Sequence, residues 1–86
     1  MTVTRARVAE ELKKYLYHRI SLEELVDWAE YAMQEAELEE DHEDEITQVL
    51  SRLGVSDVKN FGLLWEDCES LLNTLGYKVH LDIWAG

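Results

Sequence analysis

The sequence predicts a mainly α protein, a small four-helix bundle with a C-terminal β-strand, in a single domain over residues 1–86. Three observations predict this fold class. Four stretches repeat apolar residues at spacings of three and four, which is the period of an amphipathic helix. The last stretch instead alternates apolar and polar residues, which is typical of a half-buried strand. The 86 residues are 47% apolar, which suffices for one small core and is too hydrophobic for a disordered chain.

The first two helices are predicted on either side of a capping signal. The first helix spans about residues 4–18. Ser21 and Glu24 have the spacing of a capping box, which starts the second helix at Leu22. We expect the second helix to run to about Glu37. The apolar positions are Val8, Leu12, Tyr15, Leu16 and Ile20 in the first helix and Leu25, Trp28, Ala29, Ala32 and Ala36 in the second.

The acidic stretch that follows predicts a break in the helix. In an unbroken helix, four pairs of like charges between Glu35 and Glu45 would stand four residues apart, and each pair costs about 0.2–0.5 kcal/mol. Acids at a helix C-terminus also oppose the helix dipole. We therefore expect the chain to leave the helix near residues 38–41, with Asp41 capping the third helix.

Glycines end the third and fourth predicted helices. The third helix contains Ile46, Val49, Leu50 and Leu53 at helical spacing. We expect Gly54 to end it in a Schellman turn, with Val55 against Leu50. A short helical turn is predicted over residues 57–61. The fourth helix is predicted over residues 64–75, with Gly76 as its stop and Tyr77 packing back on Leu72.

The C-terminal strand is predicted over about residues 77–84. Tyr77, Val79, Leu81 and Ile83 share one face, and Trp84 lies on the opposite, exposed face. A single strand leaves backbone groups unpaired. Its partner is residues 1–4, the same strand of a second subunit, or another protein; an unpaired tail is the remaining alternative.

The charge is distributed unevenly along the chain. Residues 20–51 carry twelve acids and no Lys or Arg, whereas residues 1–19 have a net charge of +3, in a chain of net charge −11. Such an asymmetry steers a basic partner and repels anions. We therefore expect no direct nucleic acid binding and no membrane binding. The alternative is that the acids only keep the protein soluble.

Residue types that carry catalysis or bind metals are present without a suitable pattern. Cys68 lies on the apolar stripe of the fourth helix between acidic neighbours, which indicates a buried structural thiol. Glu39 and His42 have a Glu-x-x-His spacing, but a di-iron bundle needs two such motifs. His18, His42 and His80 lie in different segments. We expect no enzyme activity, no cofactor and no dedicated metal site.

Two tryptophans are assigned to the core, Trp28 on the second helix and Trp65 near Phe61 at the start of the fourth. No stretch reaches the ~20 apolar residues of a membrane span, and no signal peptide opens the chain. We therefore expect a cytoplasmic protein.

Residues Tyr15–Tyr31 (YLYHRISLEELVDWAEY) carry a resemblance to a known family. A first helix, a Ser-Leu-Glu-Glu start and a tryptophan in the second helix resemble small helical immunity proteins of the bacterial colicin-like type. The acidic composition is also similar to that of bacterial antitoxins. The resemblance implies a protein that neutralises a basic partner, and it assigns no functional residues.

The predicted function is that of a non-catalytic protein-binding module, antitoxin- or immunity-like, which docks a basic protein partner. The predicted site combines a charged surface with a pairing strand. Its residues are Glu35, Glu37, Glu39, Glu40, Asp41, Glu43, Asp44 and Glu45 for charge, and Tyr77, Val79, Leu81, Ile83 and Trp84 for the strand. The alternative is a structural homodimer or complex subunit whose C-terminal strands pair.

Overall fold

The structure, a computed structural model, describes residues 2–56 and 62–79. Its main elements are four α-helices, so the prediction of a mainly helical fold is confirmed. The helices are α1 (Arg5–Leu16), α2 (Leu22–Glu35), α3 (Glu43–Leu53) and α4 (Trp65–Thr74). Two short strands, β1 (Thr2–Val3) and β2 (Glu37–Leu38), and a 3₁₀-helix (Glu40–His42) complete the described part.

One hydrophobic core joins the four helices. Helices α2 and α3 share the most extensive contact, and α1 packs against α2, α3 and α4. Burial of these side chains is the main favourable contribution to folding. The largest side chains that are fully buried are Leu12, Leu25, Ile46, Leu50, Leu53 and Leu75.

Local signals fix the starts of α1 and α2. The Thr4 side chain accepts a hydrogen bond of 3.1 Å from the backbone N–H of Arg7. The predicted capping box is confirmed: the Glu24 N–H donates to Ser21 Oγ and the Ser21 N–H donates to Glu24 Oε1, both at 3.1 Å. These bonds satisfy donors that the first helical turn leaves free.

Left-handed residues end α1 and α4. Gly76 has φ of 95°, and the Tyr77 N–H donates to the carbonyl of Leu72 at 2.9 Å, which completes a Schellman turn. His18 takes the same role after α1 with φ of 61°. The Schellman prediction for Gly54 is wrong, because Gly54 has φ of −63° and Val55 is exposed.

The break after α2 is confirmed, but it comes earlier than predicted. Helix α2 ends at Glu35, and β2 then pairs in parallel with β1, with Val3 opposite Leu38. Val3 is fully buried, so this pairing anchors the N-terminal segment in the core. The N-terminal segment therefore pairs with β2, and the described residues contain no pairing between it and the C-terminal stretch.

The prediction that Asp41 caps the third helix is wrong. Asp41 lies within the 3₁₀-helix, and His42 occupies the N-cap position of α3. The acidic first turn of α3 complements the helix dipole in place of a capping side chain.

Of the two tryptophans that the sequence assigns to the core, one is found there and the other is not. Trp28 packs against the core as predicted. Trp65 does not close the core, because it is 41% exposed.

Of the predicted C-terminal strand, the structure describes residues 77–79. Tyr77–Val79 lie outside any strand, while residues 80–84 of the prediction, and the turn predicted over 57–61, lie outside the described residues. Within the described ranges, no helix is both long enough and apolar enough to cross a bilayer.

Candidate partner-binding surface

Six of the eight predicted acidic site residues are exposed, and all six lie within ten consecutive residues of the chain. They follow one another from the end of α2, through β2 and the 3₁₀-helix, into the first turn of α3. We call them the acidic surface: Glu35, Glu37, Glu40, Asp41, Glu43 and Asp44.

The other two predicted acids, Glu39 and Glu45, are half-buried. Glu39 Oε1 accepts a hydrogen bond of 3.1 Å from the backbone N–H of Arg5, in the first turn of α1. Glu45 Oε2 lies 3.3 Å from Nδ1 of His42, one helical turn earlier, but forms no hydrogen bond with it. We therefore assign Glu39 to the fold, and we leave both half-buried acids out of the acidic surface.

The described cations with ion pairs are engaged elsewhere. Arg7 and Lys14 lie 3.0 and 3.2 Å from the same carboxylate oxygen of Glu11, which is almost fully buried. Arg52 binds Asp67 at 3.4 Å. Within residues 2–56 and 62–79, no Lys or Arg forms an ion pair with the acidic surface. Its charges therefore face solvent without a described counter-charge.

A groove lies between α1, α4 and the chain that follows α4. Its volume is about 510 Å³. Tyr77 and Val79 from the predicted strand set line it, together with Trp65 at the start of α4. The predicted strand residues Leu81, Ile83 and Trp84 lie outside the described residues.

Arg5 connects this groove to the acidic stretch. Its backbone N–H binds Glu39, while its guanidinium donates to the carbonyl of Leu75 at 3.3 Å and lies 5.7 Å from the ring centre of Tyr77. A Cβ on Gly76 would come within 2.8 Å of Arg5 Nη1, so the glycine leaves room for this side chain. Arg5 thus joins the two segments that the sequence assigned separately to the site.

The groove's helical wall was not among the predicted site residues. It consists of Ala6, Ala9, Glu10, Lys13 and Leu16 of α1 and of Tyr17, the residue that follows the helix. Their spacing defines a second helical stripe beside the core stripe of α1. Tyr17, which is 68% exposed, was the available signal, because a large aromatic residue lies there off the core stripe.

Cys68 is buried, as predicted. Burial, reinforced by the charge of Asp67, raises the pKa of Cys68 from its usual 9.0 to about 11, and Arg52 acts in the opposite direction. A thiol with this pKa is a poor nucleophile near neutral pH. Among the described residues, no group of three or more His, Cys, Asp and Glu side chains is placed to hold a metal ion.

Comparison of the chain with protein-family models, with curated proteins and with solved structures finds no match.

Proposed function

We propose that the protein is a non-catalytic binding module that docks a basic protein partner on its acidic surface, in the manner of an antitoxin or immunity protein. The observation that supports this most directly is the segregation of charge. Six exposed carboxylates lie within ten residues of chain, and no described Lys or Arg forms an ion pair with them.

Such a surface has unfavourable internal electrostatics that a basic partner relieves. The six carboxylates lie within ten residues of the chain, and like charges at short distances repel one another. A cationic partner replaces this repulsion by attraction and accelerates encounter, while apolar contacts at the centre of an interface hold the complex. The resemblance of Tyr15–Tyr31 to immunity proteins points to the same class of partner.

The C-terminal strand belongs to this proposal as a second point of contact. Its pairing with the partner, or with a second copy of the chain, stays a prediction, because residues 80–84 lie outside the described residues. The arrangement of the four helices as a bundle likewise stays a prediction.

A short Lys- and Arg-rich peptide tests the proposal as a probe of the acidic surface. We expect its addition to the full chain to shift the backbone amide NMR signals of residues 35–44 in a saturable manner. The shifts shrink between about 0.1 and about 1 M salt, because the Debye length falls from about 10 Å to about 3 Å.

Exposed acids elsewhere on the same protein provide the control. Asp27 and Glu30 are exposed on α2, and Glu69 is exposed on α4. If the peptide shifts their amides as strongly as those of residues 35–44, the acidic surface is not a distinct docking site and the proposal is wrong.

A further inference from the structure

The groove beside α1 has an apolar interior. Leu16, Leu72 and Val79 line it together with the rings of Trp65 and Tyr77. Tyr77 is 37% exposed, so these rings are accessible at the surface of the chain. An exposed concave apolar site of this kind marks a binding site more often than a scattered apolar residue does.

The dimensions of the groove fit a small molecule. Its helical wall runs from Ala6 to Tyr17, which corresponds to roughly 16 Å along α1 at the usual helical rise. Its volume of about 510 Å³ lies inside the range of about 300–1,000 Å³ that is typical of small-molecule sites.

The rim of the groove is cationic, in contrast to the chain as a whole. Lys13 and Lys78 line it, and the Arg5 guanidinium lies against Tyr77. Glu10 is the one acid among the described lining residues, and its contact with Lys13 is long, at 3.8 Å between exposed side chains. An ion pair of this kind is weak and exchanges readily for another carboxylate.

We propose that this groove binds a small amphipathic carboxylate, a molecule with an apolar body and one anionic end. The body lies between the α1 stripe and Tyr77, over Trp65 and Leu72. The carboxylate binds Lys13 and Lys78 at the rim. This site shares no described residue with the acidic surface, and its occupation does not depend on the proposed basic partner.

A pair of probes that differ only in their charged end tests the proposal. Decanoate and decanol are titrated separately into the full chain, below the concentrations at which they aggregate, and amide NMR signals are followed. We expect saturable shifts from decanoate at residues 6–17 and 77–79. Decanol binds the same residues more weakly, because it lacks the contacts with the two lysines.

Charge variants test whether the carboxylate of the ligand binds the two lysines. The double variant Lys13→Gln/Lys78→Gln is expected to weaken decanoate binding by about five- to tenfold, as two partly exposed ion pairs are worth together. Its decanol affinity stays unchanged. Arg19→Gln removes one exposed cation outside the groove lining and leaves both affinities unchanged.

A steric variant tests whether the apolar body of the ligand lies in the groove. Ala6 is exposed on α1, so Ala6→Trp is compatible with folding and is expected to fill the groove and abolish decanoate binding. The proposal is overturned if decanoate causes no saturable shift of the amide signals of the full chain. The groove would then be a candidate site for a protein segment instead. It is equally overturned if decanol binds as tightly as decanoate, or if the shifts map to residues outside the groove.

Discussion

Glu39 caps a helix that begins 34 residues earlier in the chain: its carboxylate accepts the backbone N–H of Arg5 at 3.1 Å. The bond places a negative charge at the positive end of α1, where the free N–H groups and the helix dipole both favour it. The same stretch carries β2, whose pairing with β1 brings Glu39 to this place. One member of the acidic stretch therefore holds the fold together, while its exposed neighbours are available to a partner.

Replacement of Glu39 is expected to destabilise the protein more than replacement of an exposed neighbour. Glu39→Ala removes a charge-assisted hydrogen bond, so the free energy of unfolding should fall by about 1–2 kcal/mol. Urea denaturation measures the change. Glu40→Ala serves as the control, with an effect within about 0.5 kcal/mol, as is usual for an exposed site. Equal effects of the two replacements would contradict the capping role.

Arg52 is expected to be the most important cation for stability. Its guanidinium donates to Ser56 Oγ and to the carbonyl of Gly62, both at 2.7 Å, and so connects residues on both sides of the stretch 57–61. Arg52→Ala should lower the free energy of unfolding by about 2–3 kcal/mol, because these charge-assisted bonds are lost.

Conservative replacement distinguishes shape from charge at this position. Arg52→Lys should recover only part of the loss, since an ammonium cannot match the planar fork of the guanidinium. The matched control is Arg19→Ala, at an exposed arginine, with an expected change within about 0.5 kcal/mol. Full recovery by lysine would show that charge alone matters at residue 52.

His18 is expected to tolerate glycine and to reject a β-branched residue. Its φ of 61° lies in the left-handed region, which a β-branched side chain enters only with strain. His18→Val should destabilise the protein by about 1–2 kcal/mol. His18→Gly removes the strain but gains freedom in the unfolded chain, so a change within about 1 kcal/mol is expected. Thermal unfolding of both variants checks this, and a harmless valine would contradict the turn geometry.

Cys68 is expected to resist thiol reagents in the folded protein. With the pKa raised from 9.0 to about 11, its thiolate fraction near pH 8 is about a hundredfold below that of an ordinary thiol. Its burial adds a steric barrier. Alkylation by iodoacetamide should therefore be slow in the native state and fast in guanidinium chloride. Native-state alkylation at the denatured rate would show that Cys68 is accessible.

The same shift has a consequence for stability at high pH. The Cys68 thiol stays protonated to a higher pH in the folded state than in the unfolded state. Its contribution to the free energy of unfolding is therefore fully present below pH 9.0 and is lost as pH rises toward about 11. The free energy of unfolding of the native chain should fall more steeply over this range than that of Cys68→Ala. Parallel curves would contradict the shifted pKa.

Local sequence signals predicted the helices well because their causes are local. The capping box of Ser21 and Glu24 and the stop at Gly76 each depend on residues within one or two turns. The break after α2 was also visible, since repulsion between acids four residues apart acts along a single helix. The break comes earlier than predicted because β2 forms by pairing with β1, which is distant in sequence. A two-residue strand also shows too little periodicity to be recognised.

Features that depend on tertiary contacts were not predictable from the same signals. In the sequence, nothing distinguishes Glu39 from the acids around it. What distinguishes it in the structure is its hydrogen bond to the N-terminus of α1. Trp65 was assigned to the core, yet it is 41% exposed, whereas Leu63 nearby in the sequence is buried. The groove required α1 and the chain after α4 to come together, and no local pattern encodes that distance.

The most direct test of the acidic surface compares two triple variants that each remove three negative charges. One set neutralises the acidic surface and the other neutralises exposed acids elsewhere on α2 and α4. The variants are Glu35→Gln/Glu37→Gln/Glu40→Gln and Asp27→Asn/Glu30→Gln/Glu69→Gln. The measurement is the affinity of each for the Lys- and Arg-rich peptide, by titration calorimetry at about 0.1 M salt.

We expect the first variant to lose about tenfold or more in affinity, since each screened contact is worth up to about 1 kcal/mol, and the second to lose at most a fewfold. Equal losses would show that only net charge matters and would contradict a docking site at residues 35–44.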